Sequence, residues 1–306
     1  MLLFSLTMAM AEGGGERPMV GAERLSDYSH LLEGRRVGVV ANYASRVGHT
    51  HLIDTLLTCG VDVKIIFTPS EGFREGGERV VGRDSYLGIP IKSLLAAPKA
   101  NDVFGCDVVI YDVVDSGIRC SSALAALWQM MVVCADVGVP FVVLDRPNPM
   151  GSCVDGAIPE GRYSASGEML PLPLLYGMTL GEMARMIDGE GWLADGRRCA
   201  PIVIPYTGYC PEQIEQPSAI LSRGLCEELP ITDEGGAIDL SAVVAAYVAS
   251  ETKEEFFDGE IFGRMLGVGY VRDMIEQEYG AEEIEAMWSS DVERFKIQRE
   301  PYLIYK

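Results

Sequence analysis

Four points along the chain place groups able to do chemistry directly after a β-branched or aromatic run. They are Asn42; Ser70 with Glu71 and Arg74; Asp112 with Asp115 and Arg119; and Asp145 with Arg146 and Asn148. Carboxyl groups beside guanidinium groups suit the splitting of glycosidic bonds, in which one carboxyl is the acid and the other the base or nucleophile. Crowding raises the pKa of one such carboxyl and separates the two roles. Each carboxylate also has a structural reading, as a helix cap or half of an ion pair, and for Asp112 that reading is preferred. Asp145 and Arg146 could likewise simply pair with each other and close the sheet.

These groups need a scaffold that brings strand ends together. Phe141 to Leu144, bounded by Gly138 and Pro140 before it and stopped by Pro147 and Pro149 after it, reads as a strand buried on both faces. Arg35–Asn42, Val61–Thr68 and Asp107–Asp115 are further strands. Helical stripes over Thr50–Cys59 and Ala123–Val137 lie between them. Strand and helix in alternation predict a doubly wound, Rossmann-like α/β domain with a parallel sheet over residues 20–195. A ligand in such a fold sits outside the carboxyl ends of the strands. The glycine-rich, charged segment Glu75–Asp84 is expected to be an exposed loop. Thr179, with Glu182 three residues on, forms a capping box before a helix ending near Ile187. A smaller α+β domain is expected over 196–306, with a short strand over Pro201–Pro205, helices over 238–249, 259–266, 268–278 and 281–299, and a final strand over Tyr302–Tyr305.

Composition narrows the partners. The 306 residues carry 45 acidic and 25 basic side chains, a net charge of −20. That argues against nucleic acid and anionic membranes, which need a basic face. No membrane span is visible. The eight cysteines form no Cys-x-x-Cys pair and there are three histidines, so no metal site is expected. No Gly-x-Gly-x-x-Gly follows the first strand and no Walker motif occurs, so no cofactor is implied. Scattered cysteines point to a reducing, cytoplasmic setting. The apolar start Met1–Ala11, ending in Ala-x-Ala, keeps export open, although its basic n-region is missing.

Several motifs together carry a resemblance. They are Val37-Gly-Val-Val-Ala-Asn42, Phe67-Thr-Pro-x-x-Gly-Phe-Arg74, Tyr111-Asp-x-x-Asp-x-Gly-x-Arg119, Leu144-Asp-Arg-Pro-Asn-Pro149, Gly177-Met-Thr-x-Gly-Glu182 and the tail Arg299-x-Pro-Tyr-Leu-Ile-Tyr305. In these the chain resembles the NamZ-type exo-β-N-acetylmuramidases, glycoside hydrolases that release N-acetylmuramic acid from peptidoglycan fragments. The resemblance implies a saccharide substrate, with Glu71 and Asp115 as the catalytic carboxyls. Asn42, Ser70, Arg74, Arg119, Asp145, Arg146 and Asn148 would line the substrate site. The family's Ser-Pro-Glu-His-Gly is altered here: Ser70 stands in the Glu place and Glu71 in the His place. Its Arg-His before Gly-Met-Thr is Leu175-Tyr176, and its Arg-Phe-Tyr-Thr is Arg119-Cys-Ser-Ser122. These departures imply either a relocated acid or a relative that has lost catalysis and binds a saccharide or a protein.

Overall fold

The computed structural model describes residues 17–69, 82–84, 87–159, 170–213, 220–221, 229–230, 236–257 and 265–305. Its centre is a seven-stranded sheet made of β1 (Arg36–Ala41), β2 (Asp62–Thr68), β3 (Gly82–Arg83), β4 (Pro90–Ser93), β5 (Val108–Asp112), β6 (Phe141–Leu144) and β7 (Ile202–Ile204). The spatial order is β7-β6-β5-β1-β2-β4-β3. All neighbours are parallel except the edge strand β3, which runs antiparallel to β4. The expected loop over 75–84 therefore ends in an edge strand, and the rest of it lies outside the described residues. The sheet also runs past the expected break at residue 195, because β7 pairs with β6.

The period of two along each strand sorts the core into two faces. Val39, Ile110 and Val142 pack on one side with Leu52, Ile53 and Leu56 of the helix Leu52–Thr58. Val40, Tyr111 and Val143 pack on the other with the helices Ser122–Val137 and Leu180–Gly189. The first of these two ends where Gly138 takes a left-handed φ of 68°, which a side chain disfavours. The second starts from the expected capping box at Thr179 and Glu182.

A second core gathers Ile238, Leu240, Val243, Tyr247, Val271, Ile275, Ile284 and Trp288, with Met150, Ala157, Leu174 and Leu175 joining from the first half of the chain. The helix Ser289–Arg299 bridges the two, with Val292 in the second core and Phe295 in the first. The expected long helix over 281–299 is interrupted by a 3-10 turn at Ala286–Trp288, and most of the expected helix over 259–266 lies outside the described residues. The tail forms a 3-10 turn over Glu300–Tyr302 followed by extended chain, where a strand was expected. Its backbone donors go to side chains, as shown below. Among the described residues no helix is long and apolar enough to cross a membrane.

Candidate functional site

After β1 the chain builds β2 on one side, and β5 lands on the other, so the strand order reverses between β1 and β5. A crevice opens at such a point beyond the carboxyl ends. Ala41 faces Asp112 there. Asn42 staples the two strand ends, with Nδ2 donating to the Val114 carbonyl at 3.0 Å and its own N–H donating to Ser45 Oγ at 2.8 Å. Two apolar side chains at this edge face solvent, Tyr43 at 57% and Val114 at 37% exposure.

Asp112 does not face that solvent. Arg146 donates to it twice, Nε to Oδ1 at 2.5 Å and Nη2 to Oδ2 at 2.9 Å. Nη2 also reaches the Arg46 carbonyl at 2.8 Å. Burial opposes the guanidinium charge, but Asp112 outweighs it and the Arg146 pKa rises. This is a bidentate buried ion pair, the structural role preferred for Asp112.

Asp145 is also enclosed. Its Oδ2 accepts from Thr179 Oγ1 and Tyr305 Oη, both at 2.7 Å. Its Oδ1 accepts from the N–H of Gly181 at 2.8 Å and of Arg146 at 3.0 Å. Burial, with the Glu182 charge adding to it, raises the carboxyl to about 6 against the pull of these donors. Glu182 takes the tail in the same way, its Oε1 accepting from Ile304 N–H at 2.7 Å and Tyr305 N–H at 3.1 Å. Asn148 spends its amide on the Met178 carbonyl at 2.9 Å and its Oδ1 on the Met150 N–H at 2.8 Å. Arg119 is buried and donates to three carbonyls, those of Ala157 and Leu172 through Nη1 and of Met265 through Nη2, at 2.6 to 2.7 Å. Burial lowers its pKa to about 10.

Asp145, Arg146, Asn148 and Arg119 were all expected to face a substrate. The structure commits the Asp145 oxygens, the Asn148 amide, the Arg146 fork and both terminal nitrogens of Arg119 to protein partners. These side chains hold the loops that follow the strands. Asp145 and Arg146 do not pair with each other through their side chains. Ser70, Glu71 and Arg74 lie outside the described residues.

Asp115 is different. Its Oδ2 accepts from the Tyr176 hydroxyl, while its Oδ1 is buried with no hydrogen-bond partner. Burial pushes the carboxyl up, with the Ser121 and Tyr176 hydroxyls acting the other way. The exposed Val114 and Ser116 flank it. Neither Tyr176 nor Tyr43 was singled out by motif. The signal for Tyr176 was its position, where the resembling family carries His; Tyr43 offered only its place beside Asn42.

Comparison with known proteins adds to this geometry. Residues 37–220 match the family described as exo-beta-N-acetylmuramidase NamZ, N-terminal, and residues 231–305 match its C-terminal counterpart. The chain is similar to the peptidoglycan beta-N-acetylmuramidase NamZ of Bacillus subtilis (strain 168), at 31% identity over 176 residues, or 54% of this chain. That match spans 42% of the Bacillus protein's length. Two crystal structures of DUF1343 family proteins from Bacteroides fragilis NCTC 9343 each align with 95% of this chain and 99% of their own. One has a TM-score of 0.82 at 30% identity. The other, with a TM-score of 0.78 at 22% identity, shares the fold.

Proposed function

Because this chain belongs to the exo-beta-N-acetylmuramidase NamZ family, we propose that it hydrolyses peptidoglycan-type amino sugars, releasing N-acetylmuramic acid from a fragment's end. The proposed site is the crevice between β1 and β5. The observation that carries this reading is Asp115, a carboxyl at the sheet's reversal point with one oxygen held and one without a partner. Asn42 shapes the edge, and Tyr43 and Val114 offer apolar surface against which a sugar ring can lie. Glu71, which follows β2 in the sequence, supplies the second carboxyl on sequence grounds. One of the two carries the proton for the leaving oxygen and the other handles the attacking side. Arg119 and Arg146 support the site from behind through the contacts described above.

A second reading is a relative that binds saccharide without cleaving it. Ser70 favours it, standing where the resembling family has its proposed catalytic Glu. A chromogenic N-acetylmuramic acid glycoside and the matching N-acetylglucosamine glycoside separate the two. Turnover of the first alone is the expected result. Turnover of neither, with measurable binding by calorimetry, would support the binding relative.

A further inference from the structure

We infer that Tyr43 is the platform on which a ring of the saccharide lies, and that the turn at residues 42–45 is built to present it. The inference rests on the saccharide reading of the crevice and names the residue that holds the sugar.

A single exposed aromatic is an ordinary surface feature. What distinguishes Tyr43 is the backbone beneath it. The Asn42 carbonyl accepts from the Ser45 N–H at 3.0 Å, which closes a β-turn. Asn42 Oδ1 accepts from the Ala44 N–H at 3.2 Å, which adds an Asx turn. Tyr43 is the second residue of both and is 57% exposed. The Asn42 N–H goes to Ser45 Oγ and its Nδ2 to the Val114 carbonyl. Ser45 is buried, and its hydroxyl donates to the Asp112 carbonyl at the end of β5.

His51 fixes the same turn. The Ile53 N–H donates to its Nδ1 at 3.3 Å, so the ring hydrogen sits on Nε2, which donates to the Asn42 carbonyl at 2.9 Å. Arg46 and Val47 pair antiparallel with His51 and Thr50, and the Leu52 N–H closes on the Ser45 carbonyl at 2.8 Å. The Arg46 carbonyl accepts from Arg146, which is itself clamped on Asp112. Residues 42–52 are therefore tied to β1, to β5 and to the start of the helix Leu52–Thr58. Asn42 was expected to touch the substrate. Its backbone groups and both polar atoms of its side chain are instead committed to this turn.

The turn stands at the carboxyl edge shared by β1 and β5, where the strand order reverses. Val114, whose carbonyl takes the Asn42 amide, is the other exposed apolar side chain there. A pyranose has an apolar C–H face and a rim of hydroxyls. A tyrosine ring on a fixed backbone has two side-chain torsions to give up, so contact with that face costs little ordering. Such contact is made equally in the ground state and the transition state. It therefore acts on KM and not on kcat.

The test uses the whole protein and the chromogenic N-acetylmuramic acid glycoside, with Tyr43→Ala, Tyr43→Phe and Tyr43→Trp. Tyr43 is exposed, so all three should keep the wild-type melting temperature. Tyr43→Ala should raise KM about tenfold, the worth of covering part of an aromatic ring, with kcat unchanged. Tyr43→Phe and Tyr43→Trp should keep KM near wild type, because the ring and not the hydroxyl holds the sugar. Asn42→Ala should raise KM too, yet add little to Tyr43→Ala, since it acts through that ring. If Asn42→Ala fails to fold, Asn42→Asp takes its place in the cycle. Additive losses would show that Asn42 itself touches the substrate and would overturn the presenting role of the turn. An unchanged KM in Tyr43→Ala, with turnover intact, would overturn the platform and leave the hydrolase reading standing. A Tyr43→Phe variant as weak as Tyr43→Ala would also overturn it. If the wild type binds the glycoside without turnover, calorimetry replaces KM. A weaker Kd in Tyr43→Ala would then overturn hydrolysis and support the platform. No binding by the wild type would overturn both.

Discussion

The Arg146 guanidinium grips both oxygens of Asp112 across neighbouring strand ends, at 2.5 and 2.9 Å, with both side chains out of solvent. Either partner left alone would be a buried unpaired charge. Arg146→Ala is expected to cost about 3 to 5 kcal/mol of unfolding free energy, the range for breaking buried pairs. The double variant Arg146→Met/Asp112→Leu should be less destabilised than Arg146→Ala, because no uncompensated charge remains. Denaturant unfolding of the three proteins checks this. Equal losses in single and double variants would show that packing, not charge, dominates.

Asp145 makes stability depend on pH. Its folded carboxyl is raised from the ordinary 3.8 to about 6, first by burial. The folded state then holds a proton that the unfolded chain releases, so stability falls as pH climbs from about 4 to about 6. A rise from 3.8 to about 6 corresponds to a loss on the order of 3 kcal/mol at most. Chemical denaturation at pH 4 and pH 7 should show a smaller pH difference in Asp145→Asn than in wild type. Identical differences in both proteins would remove Asp145 from the account.

Glu71→Gln should abolish hydrolysis while leaving the melting temperature and saccharide binding unchanged, since it removes a carboxyl and keeps its size. Circular dichroism and calorimetry run beside the glycoside assay distinguish this outcome from misfolding. Wild-type turnover in the variant would place the second carboxyl elsewhere.

Gly181→Ala should destabilise the protein strongly. A Cβ there would stand 2.5 Å from Asp145 Cγ, and neither the strand end nor the capped helix can yield that distance cheaply. Loss of more than about 2 kcal/mol is expected, within the upper range for overpacking. A neutral effect would show that the helix start shifts freely.

The scaffold was readable because its signals are local. Continuous β-branched runs marked β1, β2, β5 and β6, and Thr179 with Glu182 marked the start of a helix. The division of labour among the polar groups was not readable. Leu144-Asp-Arg-Pro names two charges but not their partners, which lie 34 residues away at Asp112 and Thr179 and 160 away at Tyr305. Asp145 and Arg146 are adjacent, yet each found a better-oriented partner at a distance. The three-residue strand β7, set between prolines, carried too little pattern to announce its place in the sheet. The Tyr176 contact with Asp115 spans 61 residues and has no local signature.

The bond from Tyr305 to Asp145 has a consequence for how the protein is made. Its two residues are 160 apart along the chain. Translation adds about 5 to 20 residues per second, so on the order of ten seconds separates their appearance at the ribosome. During that interval β1 to β6 exist while Asp145 lacks the tail that helps to enclose it. The nascent sheet must therefore wait with a buried acid half-dressed, and folding closes only when Tyr305 arrives. Chaperones that shield half-made proteins have an opportunity on this chain while Asp145 waits for Tyr305.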